Sequence, residues 1–180
     1  MDKKINLKIF EIISTIFTIA VGILLHFLYD LSNKNVIVGM FSAVNESTWE
    51  HLKILFFPML ITIIIGTYYY KDITNYLCSK TKGLLVSLSF LVIAFYTYSG
   101  IIGKNFASIN ILIFILSIII GEVYAYRKIN NNTNCSNFIS LIVLIVLIFN
   151  FITFTFKPPH IRLFKDPVDG TYGIVKEKNT

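Results

Sequence analysis

Hydrophobic residues in this chain form five long runs, and short polar stretches separate one run from the next. The runs cover residues 9–29, 45–70, 83–102, 106–126 and 138–156. Each run holds about 20 residues with few charges, which is the length that an α-helix needs to cross roughly 30 Å of hydrocarbon. The pattern predicts an all-α integral membrane helical bundle of about five transmembrane helices over residues 1–156. A polar, non-helical C-terminal tail over 157–180 is predicted to follow it.

The composition agrees with lipid as the main solvent. Of the 180 residues, 55% are hydrophobic and only 14% are charged, and the mean hydropathy is +0.71. The net charge is +6, but the basic residues are scattered between the apolar runs and form no continuous stripe of the kind that binds nucleic acid. We therefore expect the lipid bilayer as a partner and no nucleic acid. A membrane-protein partner or a homo-oligomer stays open.

The basic start of the chain raises the question of a secretory signal. Lys3, Lys4 and Lys8 precede the first apolar run, but that run is longer than the apolar region of a signal peptide and ends without a small-residue cleavage site. We expect a retained first transmembrane helix. The start of the second helix is marked by Ser47 and Glu50, which have the spacing of a capping box, with Asn45 as an alternative N-cap.

Five spans place the two ends of the chain on opposite faces of the membrane. Lysine and arginine residues number eight on each face, so the early loops, which dominate topology, decide the orientation. We expect the N-terminus to be cytoplasmic and the C-terminus external. Cys78 and Cys135 then lie in cytoplasmic loops, where thiols are normally reduced, and we expect them to be incidental.

This topology brings polar residues from separate parts of the chain to the external face. The candidate polar cluster consists of His26, Asp30, Asn45, Glu46, Ser47, Glu50 and His51. Within it, His26, Asp30, Glu50 and His51 are candidate ligands of a divalent metal such as zinc, which binds imidazole and carboxylate groups. The sequence contains no HExxH motif, no paired CxxC motif and no serine elbow, so no motif indicates a particular reaction.

Each of these residues also has a structural interpretation. The acidic and hydroxyl side chains can cap and stabilise a helix start, and Lys53 can lie among lipid headgroups. Trp49 is typical of an interfacial anchor. His26 lies inside an apolar run and requires a partner, which a hydrogen bond between helices would also supply. Glu122, near the end of the fourth run, is expected to pair with Arg127 or Lys128.

Three segments together resemble a known family. They are the His26-x-x-x-Asp30 pair, FSAVNESTWEHLKILFFP (41–58) and PPHIRLFKDPVDGTYG (158–173). The chain resembles a family of small multi-pass bacterial membrane proteins, mainly Gram-positive, that is known only as a domain of unknown function. The resemblance covers nearly the whole chain and implies a bacterial cytoplasmic membrane. It carries no activity and therefore no catalytic residue.

Three functions remain open from the sequence. The leading hypothesis is a structural or partner-binding membrane protein with a polar cluster at one face. The first alternative is a metal-dependent membrane hydrolase that acts on lipid or envelope substrates. The second alternative is a small-solute or ion transporter, for which few ionisable groups are predicted near the middle of the bilayer. The DPVDGTYG piece of the tail is expected either to cover the polar face as a lid or to turn back to the headgroups.

Overall fold

The computed structural model describes residues 6–131 and 134–174. Its helices are α1 (Leu7–Leu31), α2 (Val36–Gly39), α3 (Thr48–Tyr69), α4 (Tyr76–Ile102), α5 (Ala107–Asn130) and α6 (Asn137–Phe156). Five of these six are long and apolar enough to cross a membrane. Within the described ranges there is no β-strand, and only a single bridge joins Lys165 to Tyr172. The prediction of an all-α, multi-pass membrane bundle is confirmed.

Helix α3 is the centre of the bundle. In its most apolar window 67% of the residues are buried, against 17–28% in the other four long helices. Leu55, Phe56, Met59 and Ile63 are completely buried, and α1, α4 and α5 all contact α3. The side chains that position the functional site therefore extend from the most rigidly packed helix of the protein.

Helix α1 has a polar buried face and an apolar outer face. Glu11, Ser14, Thr18 and Gly22 are its inward residues, at spacings of three or four, while isoleucines such as Ile16 are exposed on the opposite side. Since lipid solvates the apolar face, α1 must associate through small residues and polar contacts rather than through the hydrophobic effect. At Gly22, an added Cβ would lie 2.6 Å from the Phe114 ring of α5, so only glycine permits this approach.

Helices α4 and α5 form an antiparallel hairpin, as their short connection predicts. The helices are closest where Gly83 faces Gly121, because a Cβ on Gly83 would lie 2.5 Å from the Gly121 carbonyl oxygen. Helix α4 begins seven residues before the sequence-based boundary at residue 83. Part of the stretch that looked like a polar turn is therefore helical and packed inside the bundle.

The two cysteines, which the sequence analysis expected to be incidental, are paired in this structure. Cys78, in the first turn of α4, forms a disulfide with Cys135, which lies just before α6. Their Cα atoms are 6.1 Å apart. The bond joins α4 to the start of α6 at the face where α1 also begins. Of the basic residues that precede α1, Lys3 and Lys4 lie outside the described ranges.

Candidate functional site

Two histidines and one carboxylate converge at the end of the bundle where α1 stops and α3 starts. His26 lies near the end of α1, Glu46 in the loop before α3, and His51 in the first turn of α3. Glu46 Oε1 is 3.5 Å from His26 Nε2, and Glu46 Oε2 is 3.7 Å from His51 Nε2. One ligand atom from each of the three residues lies within 4.8 Å of the other two. We call these three residues the His26 triad.

The loop before α3 fixes the histidine of that helix. The Ser47 side chain caps α3 by accepting a hydrogen bond from Glu50 N at 3.4 Å, and Asn45 Oδ1 accepts one from Ser47 N at 3.0 Å. Nδ1 of His51 lies 2.9 Å from the Ser47 carbonyl oxygen. Because a carbonyl only accepts, Nδ1 must be the donor. A neutral His51 ring therefore presents the lone pair of Nε2 to Glu46.

The C-terminal tail positions the carboxylate of the triad. Asp166 is buried and its Oδ2 accepts a hydrogen bond from Glu46 N at 2.9 Å. Its other oxygen accepts from Val168 N at 2.6 Å and from Asp169 N at 3.4 Å. A single carboxylate thus joins the tail turn to the loop that carries Glu46. Asp166 is a residue to which the sequence analysis assigned no role in the candidate site.

The described part of the tail continues past the loop that carries Glu46 and reaches α6. Asn45 Nδ2 donates to the Gly173 carbonyl at 3.3 Å, and Ile174 N donates to the Thr155 carbonyl at 3.1 Å. Gly173 has φ +58°, and a Cβ there would lie 2.6 Å from the Thr155 carbonyl oxygen, so glycine is required. Of the two expectations for the DPVDGTYG piece, the lid is the one that the contacts bear out.

The turn inside this lid has its own hydrogen bonds. Thr171 donates to Asp169 Oδ1 through both its backbone N, at 2.9 Å, and its hydroxyl, at 2.7 Å. These hydrogen bonds stabilise the ionised carboxylate and hold the pKa of Asp169 below its ordinary value. His160 stacks on Tyr172 with ring centroids 4.6 Å apart. The third histidine of the chain therefore belongs to the lid and not to the triad.

Comparison with known proteins identifies the family. The model of a family of unknown function, DUF6512, matches residues 1–174. The chain belongs to the DUF6512 family. No curated protein and no solved structure matches it. This family agrees with the resemblance found in the sequence. Because the function of the family is unknown, the side chains of this DUF6512 protein are the evidence for its chemistry.

The structure brings together only part of the predicted polar cluster. His26, Glu46 and His51 meet, and Asn45 and Ser47 support them through the loop. Asp30 is exposed one turn beyond His26 and lies outside the group of converging ligand atoms. Of the four residues predicted as metal ligands, the two histidines converge, and they do so with Glu46 rather than with Asp30 or Glu50.

Glu50 belongs to a separate, fully buried ion pair. Its Oε2 lies 2.5 Å from Lys53 Nζ and accepts from Val44 N at 3.0 Å. Lys53 Nζ also donates to the Gly39 carbonyl at 2.7 Å and to Thr155 Oγ1 at 2.9 Å. The expectation that Lys53 lies among headgroups is wrong, because this lysine joins α3 to the α2 segment and to α6. The capping box is half formed, since Ser47 caps the helix but Glu50 turns to Lys53.

Trp49 is half-buried in this DUF6512 protein and packs against aromatic rings of α6 and the tail. Its ring lies 4.6 Å from that of Phe151 in α6 and 4.7 Å from that of Phe164 in the tail, between centroids. The indole thus packs the lid against α6. The aromatic residues of the tail that do this could not be recognised as partners from the sequence, because about 115 positions separate Phe164 from Trp49.

Two cavities meet at the triad. The larger, of about 490 Å³, lies between α1 and α5 and is mainly apolar, with Gly22, Phe27 and Phe114 in its wall beside all three triad residues. The second, of about 290 Å³, lies under the lid between Glu46, His51 and Val168. A neighbouring groove of about 350 Å³ carries basic residues, namely Lys104, Arg162 and Lys165. The apolar cavity, the triad and the basic groove are therefore contiguous.

A second group of buried charges lies at the opposite end of the bundle. Lys80 Nζ, completely buried, donates to Glu11 Oε2 at 2.6 Å and also to Glu122 Oε2. The Tyr76 hydroxyl donates to Glu11 Oε1 at 3.1 Å. We call these four residues the Lys80 cluster. The expectation that Glu122 pairs with Arg127 or Lys128 is wrong, because Glu122 pairs with Lys80. Lys80 lies in a stretch that was predicted as a polar turn, so the sequence gave no sign of its buried position.

Proposed function

We propose that this protein is a metal-dependent membrane hydrolase whose divalent ion is held by His26, Glu46 and His51. The convergence of these three side chains from separate elements carries the proposal. In a tetrahedral zinc site, bonds of about 2.0–2.2 Å place ligand atoms about 3.4 Å apart. Glu46 Oε1 is 3.5 Å from His26 Nε2 and Glu46 Oε2 is 3.7 Å from His51 Nε2, and one ligand atom of each residue lies within 4.8 Å of the other two, so small side-chain adjustments would bring the three residues to that spacing.

The electrostatics of the triad also favour a bound cation. With Nδ1 of His51 donating to a carbonyl, the free lone pair of Nε2 faces a carboxylate oxygen, and two electron-pair donors repel each other. A cation between them removes this repulsion. The hydrogen bond at Nδ1 is the kind of outer contact that orients metal-ligating histidines. Three protein ligands leave a coordination position open, and zinc bound in this way supplies Lewis-acid chemistry for hydrolysis.

The surroundings of the triad indicate an amphipathic, anionic substrate. The apolar cavity between α1 and α5 suits a hydrocarbon chain, and the basic groove beside the lid suits a negatively charged headgroup, because Arg162 and Lys165 supply donors for it. The triad lies between the two. This arrangement supports an ester or phosphoester of a lipid as the substrate class.

Metal content tests the site directly. We expect purified protein to hold about one equivalent of zinc or a similar ion, and the double variant His26→Ala, His51→Ala to hold none. His160→Ala is the matched control, because it removes a histidine of the same face that lies outside the triad, and it should keep the metal. If the wild-type protein holds no metal even after incubation with zinc, the metal site is excluded, and a structural or partner-binding function becomes the better proposal.

Substrate conversion tests the hydrolase. Zinc-loaded protein is incubated with vesicles of phosphatidylglycerol and phosphatidylcholine, and lipid products are identified by mass spectrometry. We expect the anionic lipid to be consumed by the wild type and not by the double histidine variant. Conversion that is equal in the two proteins, or absent from a protein shown to bind metal, would contradict hydrolysis while leaving the metal site intact.

We also propose that the N-terminus is cytoplasmic and the triad external. Lys53 and Lys80 are both buried in ion pairs, so seven basic residues remain on each face. On the face where α1 begins, three of the seven lie before α1 or in its first turn, whereas only Lys34 lies in the loop that follows α1.

In this orientation Cys78 and Cys135 face a reducing compartment. We therefore expect both thiols to be alkylated in intact, rapidly quenched cells, and the disulfide to form after purification. A disulfide already present in the cells would contradict this proposal and indicate the opposite orientation.

A further inference from the structure

The Lys80 cluster holds two carboxyl groups but only one cation. Lys80 extends from α4, Glu11 from α1 and Glu122 from α5, and all three are at least 95% buried. If both carboxyl groups were ionised, the cluster would carry a net negative charge in a low-dielectric interior, which is strongly unfavourable. One further positive charge is therefore required at this place.

The extra positive charge can be a proton, and the hydrogen bonds indicate which of the two carboxyl groups binds it. Both oxygens of Glu11 accept hydrogen bonds, one from Lys80 and one from the Tyr76 hydroxyl, which is the environment of an ionised carboxylate. Glu122 uses only Oε2 toward Lys80, and its Oε1 is buried without a hydrogen-bond partner among the described residues. The carboxyl groups of Glu11 and Glu122 also interact with each other, and two such groups in contact require a proton.

A small cavity lies beside Glu122, between α1 and α5. It has a volume of about 190 Å³, and its wall includes Lys8, Glu11 and Glu122 together with the apolar side chains of Ile12 and Val123. Lys8 is exposed near the start of α1, so the cavity reaches from the end of the bundle at which α1 begins to the buried carboxyl groups. The ionisable groups around Glu122 are Lys8 and Glu11 of α1, Tyr76 and Lys80 of α4 and Tyr126 of α5, with Tyr70 near Glu11 at the end of α3.

We propose that Glu122 is a reversible proton-binding site, exchanging its proton through this cavity with the face of the membrane at which α1 begins. Protonation of Glu122 makes the cluster neutral, with Lys80 paired to an ionised Glu11. Loss of that proton leaves two carboxylates around one ammonium group and favours separation of α1 from α5. The site is independent of the His26 triad, which lies at the other end of the bundle.

Infrared spectroscopy of the full-length protein counts the protonated acids. The C=O stretching band of an un-ionised carboxylic acid is recorded at neutral pH in lipid nanodiscs. We expect the intensity of one acid in the wild type and none in Glu122→Gln. Glu11→Gln should also show none, because Glu122 then pairs one-to-one with Lys80 and ionises. Lys80→Met should show about two, because no cation remains. Asp30→Asn, which removes an exposed carboxylate, is the control and should match the wild type.

Reversibility is measured by raising the pH. The band of the wild type should decline as Glu122 ionises and return when the pH is lowered. The proposal is overturned if the wild type shows no such band, which would mean that a bound metal cation balances the charge. It is also overturned if the band survives in both glutamine variants, or if it persists at every pH at which the protein stays folded. Size-exclusion profiles confirm the fold, and either glutamine variant alone is sufficient if the other fails to fold.

Discussion

Two lysines in the described part of the chain are completely buried, and their surroundings differ in one decisive respect. Lys53 faces a single carboxylate, Glu50, and its remaining donors reach a carbonyl and a hydroxyl oxygen. Lys80 faces two carboxylates, and one oxygen of Glu122 has no partner in the described part of the chain. A balanced, fully hydrogen-bonded pair holds helices in place. An unbalanced group requires one more positive charge, which at Lys80 we assign to a proton on Glu122, whereas the balanced pair at Lys53 has a structural role.

Removing Lys53 should have the largest effect on stability. Lys53→Met leaves the buried Glu50 carboxylate without its cation, and we expect the free energy of unfolding to fall by about 3–5 kcal/mol. Denaturant titration in detergent measures this change. The double variant Lys53→Met, Glu50→Gln carries no unpaired charge and should recover part of the loss. A single variant as stable as the wild type would show that the pair is not buried as described.

Disconnecting the lid should have an intermediate effect, and mainly on the triad. Asp166→Ala leaves the buried N–H groups of Glu46 and Val168 without their acceptor, at a cost of about 1–3 kcal/mol. Because Asp166 bonds the backbone N–H of Glu46 and not a metal-ligating atom, it is a positioning residue. We expect zinc affinity to fall about 10–100-fold, measured by competition with a chelating dye.

The matched control for the lid is Asp169→Asn, which alters an exposed carboxylate of the same turn. It should leave zinc affinity unchanged. If Asp166→Ala binds zinc as tightly as the wild type, the lid does not position Glu46.

Neutralising Glu122 should have the smallest effect. If Glu122 is already protonated at neutral pH, Glu122→Gln replaces one neutral group by another, and we expect stability to change by no more than about 0.5 kcal/mol. Glu50→Gln, the corresponding change beside Lys53, should cost several times more, because it leaves a buried ammonium group unpaired. Equal losses in the two variants would remove the distinction between the two lysines.

The parts of this structure that depend on local sequence were predictable. Hydropathy over about 20 residues is a local property, so all five long helices could be recognised from it. Ser47 marks the start of α3, since an N-cap acts on the N–H groups of the next turn. Predicted topology placed His26 and His51 at one end of the bundle, where the structure also has them.

The parts that depend on distant partners were not predictable. Lys80 looks like a loop residue because its own neighbours include Lys82 and several polar groups, whereas its partners lie on α1 and α5, 69 and 42 positions away. Its burial is possible only with those carboxylates present. Glu46 belonged to the candidate polar cluster but not to the predicted metal ligands, because the local sequence does not show which carboxylate the fold brings to His26. The tail turn that orients Glu46 has no signature in the sequence around position 46.

The hydrogen bond between Asp166 and Glu46 joins residues 120 positions apart, and this has a consequence for the order of synthesis. Four membrane helices lie between the two residues in the chain. Translation must therefore insert α6 and release the following turn before the loop of Glu46 acquires its final support. A nascent chain that has made both histidines and Glu46 still lacks the orienting carboxylate, so metal loading is expected as a late, post-insertion event.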